Sequence, residues 1–386
     1  MNILLATNTD LDRGGISMFM LQWIRGIRAI DEECTIAVYF RAKIVDRAAE
    51  EEYRSYGVKI YTGNIPGSVK FKNPKANKKV RGDIERILRD EKIDIVHINS
   101  RFFAFHVLLL SVAKKTGIPI RVSHFHGSLV EPFFDRIVHT FFRMRIRSLA
   151  TAYAGCSKEK AVYLFGEKGI QSDKWRLIPN TIQTERFRFN EVERKTKRET
   201  IGITEDEILL GAVRRVEKEK NHIFLIGVLK KLLRSMQKAK LIILGDGSER
   251  EVLQEKSREL GLDDKVILYG STDDVPGWLS AMDYYLMPSL SEGFPISAVE
   301  AQASGLVCLL SERITQEVDL TKNIYHLSID NGVDAWLKKI EAVPPVSISD
   351  RVHAVDLIKD AGFYVNNTAE YVSSLYSTNK EKKITK

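Results

Sequence analysis

Short apolar runs, most of them separated by stretches whose apolar residues recur at helical spacing, punctuate the whole chain. They fall at residues 3–7, 35–40, 58–61, 94–98, 120–123, 150–155 and 176–179, and again at 208–213, 241–244, 266–270, 284–288, 306–310 and 324–327. A strand that is apolar at nearly every position is buried on both faces, and parallel strands need a crossover long enough to hold a helix. The pattern predicts an α/β fold with parallel sheets covered on both sides. Ligands of such sheets bind beyond the carboxyl ends of the strands, so residues in those loops are the first candidates for chemistry.

At 386 residues the chain exceeds one ordinary core and fits two domains of similar size. A charge-rich run from 183 to 200 shows no apolar periodicity, and the boundary is expected there, giving domains 1–183 and 184–365. Hydrophobic content of 44% with 28% charged residues is that of a soluble globular protein. No apolar stretch approaches the roughly 20 residues of a membrane span. The N-terminus enters a strand pattern directly, without a signal peptide. Cys34, Cys156 and Cys308 lie far apart with no CxxC pair, which predicts a reducing cytoplasm and neither a disulfide framework nor a zinc site.

The net charge of +8 is unevenly spread. Residues 1–200 hold 36 lysines and arginines against 23 acidic residues, and the remainder holds 23 against 28. A half this basic calls for an anionic partner: nucleic acid, an anionic lipid surface or a phosphorylated substrate. No zinc finger, basic zipper or RNA-binding signature is present, which argues against nucleic acid.

The most informative stretch is 288–311. Pro288 stops one strand, Pro295 suits the first position of a helix, Gly305 closes that helix, and another buried run follows. Glu292 then precedes the helix and Glu300 lies more than a turn inside it, while Gly293, Phe294 and Ile296 offer backbone amides at its positive end. Amides and dipole suit a phosphate, and a carboxylate can accept hydrogen bonds from neighbouring sugar hydroxyls. Taken alone, the same residues also fit a capped turn with a solvated glutamate. Glu292-Gly-Phe-Pro with Glu300, followed by Ala-Gln-Ala-Ser-Gly, resembles the E-x7-E signature of retaining family 4 glycosyltransferases, which have the GT-B fold. The resemblance implies two Rossmann-like domains facing a central cleft. It also implies a C-terminal helix, here the amphipathic pattern at 368–376, that crosses back so that 366–386 pack on the first domain. By position, Glu292 would contact donor-sugar hydroxyls and Glu300 would hold the nucleotide ribose.

The remaining motifs fall at other strand ends. Asp10-Leu-Asp-Arg-Gly14-Gly15 follows the first run, and the glycine pair would let a phosphate or an acceptor approach the helix start. The G-x-G-x-x-G fingerprint is absent there. Asp10 and Asp12 have the spacing of a metal-binding pair but follow a first strand, and no metal is expected. His124 and His126 close the run at 120–123; a metal could use that spacing, but no Asp or third His nearby completes a site. By the resemblance His126 reaches the donor sugar and His124 turns back into the sheet. Ser157 is a plausible helix N-cap, and Pro179-Asn180 resembles the interdomain hinge. Arg214 and Arg215 at a strand end and Lys220 before the next helix bring cations together as a diphosphate requires. The resemblance gives that role to Arg215 and Lys220, and Arg214 stands where the family usually has glycine. Gly245 would border the nucleotide, and the segment closing on Gly270 would read the base edge.

The resemblance thus implies a metal-independent, retaining glycosyltransferase with no cofactor, using a nucleotide-diphosphate sugar, UDP-linked in our reading. Lys72, Lys75, Lys78, Lys79 and Arg81, together with Phe133, Phe134, Phe141 and Phe142 interleaved with Arg136, Arg143, Arg145 and Arg147, form two basic segments. They suggest cytoplasmic protein held peripherally on an anionic membrane, serving a lipid-diphosphate-linked glycan acceptor in capsule or exopolysaccharide synthesis. The alternatives are a catalytically silent sugar-nucleotide sensor or scaffold, a GT-B epimerase, or a phosphorylase, for which no pyridoxal-lysine motif is visible.

Overall fold

The computed structural model describes residues 1–12, 14–66, 73–126, 136–156, 158–178, 181–236, 238–292, 294–363 and 368–376. Two compact units make up the chain: Met1–Thr181 with Val365–Lys386, and Ile182–Tyr364.

The first unit runs β1 (Asn2–Thr7), α1 (Gly15–Ile30), β2 (Thr35–Phe40), α2 (Arg47–Ser55), β3 (Lys59–Thr62), α3 (Pro74–Asp90), β4 (Ile95–Ser100), α4 (Phe103–Lys115), β5 (Ile120–Phe125), α5 (Arg136–Leu149), β6 (Ala152–Gly155), α6 (Lys158–Phe165), α7 (Glu167–Ile170) and β7 (Trp175–Leu177). The second runs α8 (Glu191–Thr200), β8 (Ile208–Val213), α9 (His222–Ser235), β9 (Ala239–Leu244), α10 (Arg250–Glu259), β10 (Val266–Gly270), α11 (Val275–Ala281), β11 (Tyr284–Met287), α12 (Ile296–Ala303), β12 (Val307–Ser311), β13 (Ile324–Leu327), α13 (Asp334–Ala342), α14 (Ile348–Arg351) and α15 (Ala354–Asp360). The last helix, α16 (Thr368–Tyr376), returns to the first unit.

Each unit holds one sheet whose described pairings are all parallel, ordered β3-β2-β1-β4-β5-β6-β7 and β10-β9-β8-β11-β12-β13. In both, the order reverses beside the unit's first strand, so the loops after β1 and β8 open at a switch point, where doubly wound sheets bind ligands. β4 lies at the centre of its sheet and is buried at every position, because helices cover both faces. One of those faces is packed by α3 and α4, and the other by α1 and α16.

Helix α16 docks against α1 through Val372, Leu375 and Tyr376, and a Cβ on Gly26 would collide with Thr368. Pro295 is the N-cap of α12 rather than its first residue, with φ −80° and ψ 94°. The run at 183–200, read as aperiodic, contains α8. Its buried face consists of Arg194 and Arg198, a helical spacing that a search for apolar periodicity passes over. Both guanidinium groups pair with buried Asp283, at 2.9 Å and 3.2 Å, and donate to the Ala281 carbonyl at the end of α11, at 3.1 Å and 2.9 Å. The helix is thus an integral part of the second unit.

Ser157, Phe133, Phe134, Lys72 and Pro179-Asn180 lie outside the described residues. Among the described residues no helix is long and apolar enough to cross a membrane.

Candidate active site

The residues singled out in the sequence gather beyond the carboxyl ends of strands in their own unit. In the second unit Arg214 and Arg215 follow β8, Gly245 follows β9, Gly270 ends β10, and Glu292 follows β11. The loop before α12 is docked on the loop before α9: the Leu290 amide donates to the Glu219 carbonyl at 2.9 Å, and Asn221 Nδ2 to the Pro288 carbonyl at 3.2 Å. Asn221 does this from a left-handed conformation, φ 55°, which asparagine tolerates well.

That docking brings three side chains together. Glu292 is buried and accepts from Arg214 Nη2 at 2.7 Å on Oε2 and from Lys220 Nζ at 3.0 Å on Oε1. Arg214 also donates to Ser297 Oγ, in the first turn of α12, at 3.3 Å, and that hydroxyl lies 2.6 Å from Tyr285 Oη of β11. The convergence of two cations expected at this loop is real, but the arginine involved is Arg214. Arg215 is exposed and pairs with no described residue. The sequence argument concerned neighbours along the chain and could not see a carboxylate 78 positions away.

Glu300 is half-buried on α12, and no described residue donates a hydrogen bond to its carboxylate. Burial pushes its pKa up to about 7, against the opposing pull of Arg186 and Arg214. Phe294 is buried with its ring stacked on Phe363, centroids 5.4 Å apart. The amides of Phe294 and Ile296 find no acceptor among the described residues, as the start of a helix leaves them; Gly293 lies outside those residues. His222, at the start of α9, is buried, and burial together with Arg214 and Lys220 lowers its pKa to about 4. Its Nδ1 and the Ser289 hydroxyl are buried without partners among the described residues. Sequence reading missed Arg186, Ser289, His222 and Ser297, none of which carries a motif of its own.

Gly245 has φ 135°, and a Cβ there would overlap the Arg214 carbonyl oxygen. Its amide donates to the Gly270 carbonyl at 2.8 Å, so the turns after β9 and β10 are tied together beside the Arg214 backbone.

In the first unit, Asp12 Oδ1 accepts from the Gly14 amide at 2.9 Å and the Ser17 hydroxyl at 3.1 Å, closing the turn into α1. Asp10 accepts from the Lys43 amide at 3.1 Å. Gly14 is the N-cap of α1, where a Cβ would press on the Asp12 carboxylate, while Gly15 has open space around it.

His126 follows β5, buried, and faces Asn99 of β4, with His126 Nε2 and Asn99 Oδ1 3.0 Å apart. Because Asn99 Nδ2 donates to the His97 carbonyl, Asn99 Oδ1 is the acceptor and His126 carries its proton on Nε2. His124 does not turn away: residues two apart on a strand share a face, and the two rings stack 4.4 Å apart. Nor are the pair surface groups; both are buried.

Behind them runs a chain of hydrogen bonds. Trp23 Nε1 donates to Tyr376 Oη at 2.8 Å, Tyr376 meets His97 Nδ1 at 2.9 Å, and His97 Nε2 meets His124 Nδ1 at 3.3 Å. Indole can only donate, so the tyrosine proton goes to His97 and the next proton passes from His97 to His124. The chain ends on His124 Nε2, buried without a partner among the described residues. Burial is the main reason every histidine here is neutral. It lowers His126 to about 3 and His106, whose Nδ1 lies 2.9 Å from the Ser123 hydroxyl, to about 4, and it takes His97 and His124 well below the usual imidazole value.

Comparison with known proteins gives this arrangement a class. A model of glycosyl transferases group 1 matches residues 193–343, and a model of Glycosyltransferase Family 4 matches residues 13–186. The chain is similar to the Bacillus subtilis protein named as glycosyltransferase EpsF, 28% identical over 339 residues, covering 87% of this chain and 86% of that one. It is 25% identical over 266 residues to the UDP-Gal:alpha-D-GlcNAc-diphosphoundecaprenol alpha-1,3-galactosyltransferase of Escherichia coli, covering 67% of this chain and 68% of that one. Among solved structures, Anabaena Alr3699/HepE in complex with UDP superposes with a TM-score of 0.74 at 17% identity, covering 97% of this chain and 98% of that one. The fold is that of the two-domain GT-B glycosyltransferases. Within that class, the chain carries a region matching Glycosyltransferase Family 4 followed by one matching glycosyl transferases group 1.

Proposed function

We propose that this protein transfers a sugar from a UDP-sugar, with retention of anomeric configuration, to a lipid-diphosphate-linked glycan in surface polysaccharide assembly. The observation that carries the reading is the cluster of Arg214, Lys220 and Glu292 beside the open amides of α12, with Glu300, to which no described residue donates, further along that helix. Cations and amides suit a diphosphate, and Glu300 has its oxygens available for vicinal ribose hydroxyls. UDP accompanies the Anabaena HepE structure, and a diphosphoundecaprenol acceptor is named for the E. coli relative.

In this reading the acceptor hydroxyl attacks the anomeric carbon from the face the diphosphate leaves, and a phosphate oxygen takes its proton. No protein base is needed, and no metal. Lys220, Arg215 and the α12 amides stabilise the growing charge on the leaving group, while Glu292 in the second unit and, taken by itself, His126 in the first are each available to sugar hydroxyls. Gly14 and Gly15 leave room at the start of α1. Gly245 and Gly270 shape the nucleotide loops, and Phe294 and Pro295 set the entry of α12.

Helix α5 supports the membrane part of the proposal. Ile146 and Leu149 are buried in the core with Phe142 packed against it, while Phe141 and Met144 stay 55% and 57% exposed beside exposed Arg145. An exposed aromatic and thioether next to arginine fit an anionic interface.

Release of UDP from donor, measured with a diphosphoundecaprenol-linked sugar, tests the transfer. Glu292→Ala is expected to lower it at least tenfold, the usual effect of losing a hydrogen bond to a charged group. Binding without turnover would leave a sensor, interconversion of the donor sugar an epimerase, and loss of activity with EDTA a metal enzyme. Co-sedimentation with vesicles should require anionic lipid and fall when Arg143, Arg145 and Arg147 become Glu.

A further inference from the structure

A cavity of about 320 Å³ in the first unit takes no part in the sugar chemistry proposed above. Met144, Arg147 and Ser148 at the end of α5, Tyr153 of β6, and Ser172 and Lys174 before β7 line it. It therefore sits at the amino ends of β6 and β7, whereas His126 lies past the carboxyl end of β5. Core contacts fix its shape. The buried Tyr153 donates from its hydroxyl to the Gly169 carbonyl at 3.0 Å, its ring stacks on Phe165 with centroids 4.7 Å apart, and its amide donates to the Lys174 carbonyl at 2.9 Å.

No carboxylate is among the lining side chains, and its cations are lightly engaged. Arg147 is half-buried, and no described residue accepts from its guanidinium. Lys174 Nζ reaches the Ala150 carbonyl at 3.5 Å, a long contact, and the Ser172 hydroxyl reaches Asp173 Oδ1 at 3.4 Å. Carbonyls at the end of α5 would repel an anion, but Arg121 Nε already donates to that of Leu149 at 2.8 Å. Two cations and two hydroxyls around one space suit a phosphate, whose oxygens accept from all four. The cavity also continues an exposed stripe of α5. Phe141, Met144, Arg145 and Ser148 fall at i, i+3, i+4 and i+7 and are all exposed, and Met144 and Ser148 belong to stripe and cavity alike. A soluble phosphate would leave Phe141 and Met144 uncovered, whereas a lipid covers them with its apolar part. We infer that this cavity binds the headgroup phosphate of an anionic membrane lipid, through Arg147, Lys174, Ser148 and Ser172. The inference rests on the reading of α5 as a membrane-facing helix and gives that face a specific site.

The test is co-sedimentation of the full chain with phosphatidylcholine vesicles carrying phosphatidylglycerol, at constant ionic strength. Arg145 is the control, exposed on the same helix but outside the cavity. One cation fewer near an anionic surface costs about fivefold in binding, and Arg145→Gln should lose no more than that. Arg147→Gln and Lys174→Gln should each lose at least about twentyfold, since each also removes a hydrogen bond to a charged group. Arg147→Lys, which keeps the charge, should regain most of the loss and so show that the fold is intact. Ser148→Ala combined with Ser172→Ala, which changes no charge, should lose at least about threefold. Equal losses for Arg145→Gln, Arg147→Gln and Lys174→Gln would overturn the inference and leave α5 a diffuse basic face on the membrane. A parent chain that stays in the supernatant with anionic vesicles would overturn the membrane reading and the inference with it. Binding of inorganic phosphate that Arg147→Gln abolishes while vesicle binding is unchanged would assign the cavity to a soluble phosphate and overturn the lipid.

Discussion

The two units prepare their candidate residues by opposite means. In the second, charges are kept and paired: Glu292 is buried with Arg214 on one carboxylate oxygen and Lys220 on the other. In the first, charge is excluded. His97, His106, His124 and His126 are buried together with no carboxylate among the partners described for them, and each is held neutral by desolvation. The paired cluster suits ligands that bring charge, as a diphosphate does, because cations already gathered at one loop can turn to an incoming anion. The neutral cluster suits a ligand that brings hydroxyls. The difference is open to experiment because desolvated imidazoles and desolvated carboxylates respond to pH with opposite sign.

The largest expected effect is acid sensitivity of the first unit. The folded state holds fewer protons than the unfolded state between the folded values of about 3 and about 4 for His126 and His106 and the ordinary value of 6.5. Their contribution is whole above pH 6.5 and is lost as the pH falls toward those values, at up to about 1.4 kcal/mol per pH unit for each histidine. Hydrogen exchange at pH 7 and pH 5 should show β4 and β5 losing protection before β8 and β11. Equal loss in both units would erase the contrast.

Next in size is Tyr376→Phe, which leaves the Trp23 indole N–H and His97 Nδ1 without their shared partner. Two buried unsatisfied groups at about 1 to 3 kcal/mol each should lower stability by roughly 2 to 6 kcal/mol in a urea melt. The same variant should make the end of α16 more accessible to protease. A variant as stable and as resistant as the parent would mean the chain of hydrogen bonds does not hold the helix.

Glu300 carries the opposite sign. Its folded value of about 7 exceeds the ordinary 4.5, so between the two the folded state binds the extra proton and this group's contribution to stability falls as the pH rises. Ribose hydroxyls need the ionised carboxylate, so UDP binding should tighten by about tenfold from pH 6 to pH 8, beyond any change seen in Glu300→Gln. Identical pH profiles for parent and variant would remove Glu300 from the nucleotide site.

The smallest effect is expected at Gly15, where an added Cβ meets nothing within 4 Å. Gly15→Ala should change stability by no more than about 0.5 kcal/mol. A fall in donor turnover at unchanged stability would show that the space is kept for a ligand.

Much of the fold was legible because its strands are buried on both faces. β2, β8, β10 and β13 coincide with their apolar runs, and the other strands differ by a few residues at their ends. α8 was not, because what it buries is arginine, satisfied by Asp283 and by carbonyls at the end of α11, and hydropathy counts such residues as solvated. Glu292, Glu300 and His126 were singled out through the family pattern, local spacing alone leaving a capped turn as open as a site. The Arg214 to Glu292 pairing could not be read that way, since it depends on the order in which β8 and β11 sit side by side. Nor could the link from Trp23 through Tyr376 to His97, which joins residues from opposite ends of the chain, or the role of Asn99, which bears no motif.

The central claim is that the loops beyond β8 and β11 and the start of α12 hold a nucleoside diphosphate. Calorimetric titration of UDP and of uridine into the parent, Lys220→Ala and Glu300→Ala tests it most directly. The account predicts that UDP binds the parent far more tightly than uridine, and that each variant binds UDP at least tenfold more weakly. Lys220→Ala should also lose most of the preference for UDP over uridine, and Glu300→Ala should keep it. No UDP heat with the parent, or equal affinity across all three chains, would contradict it.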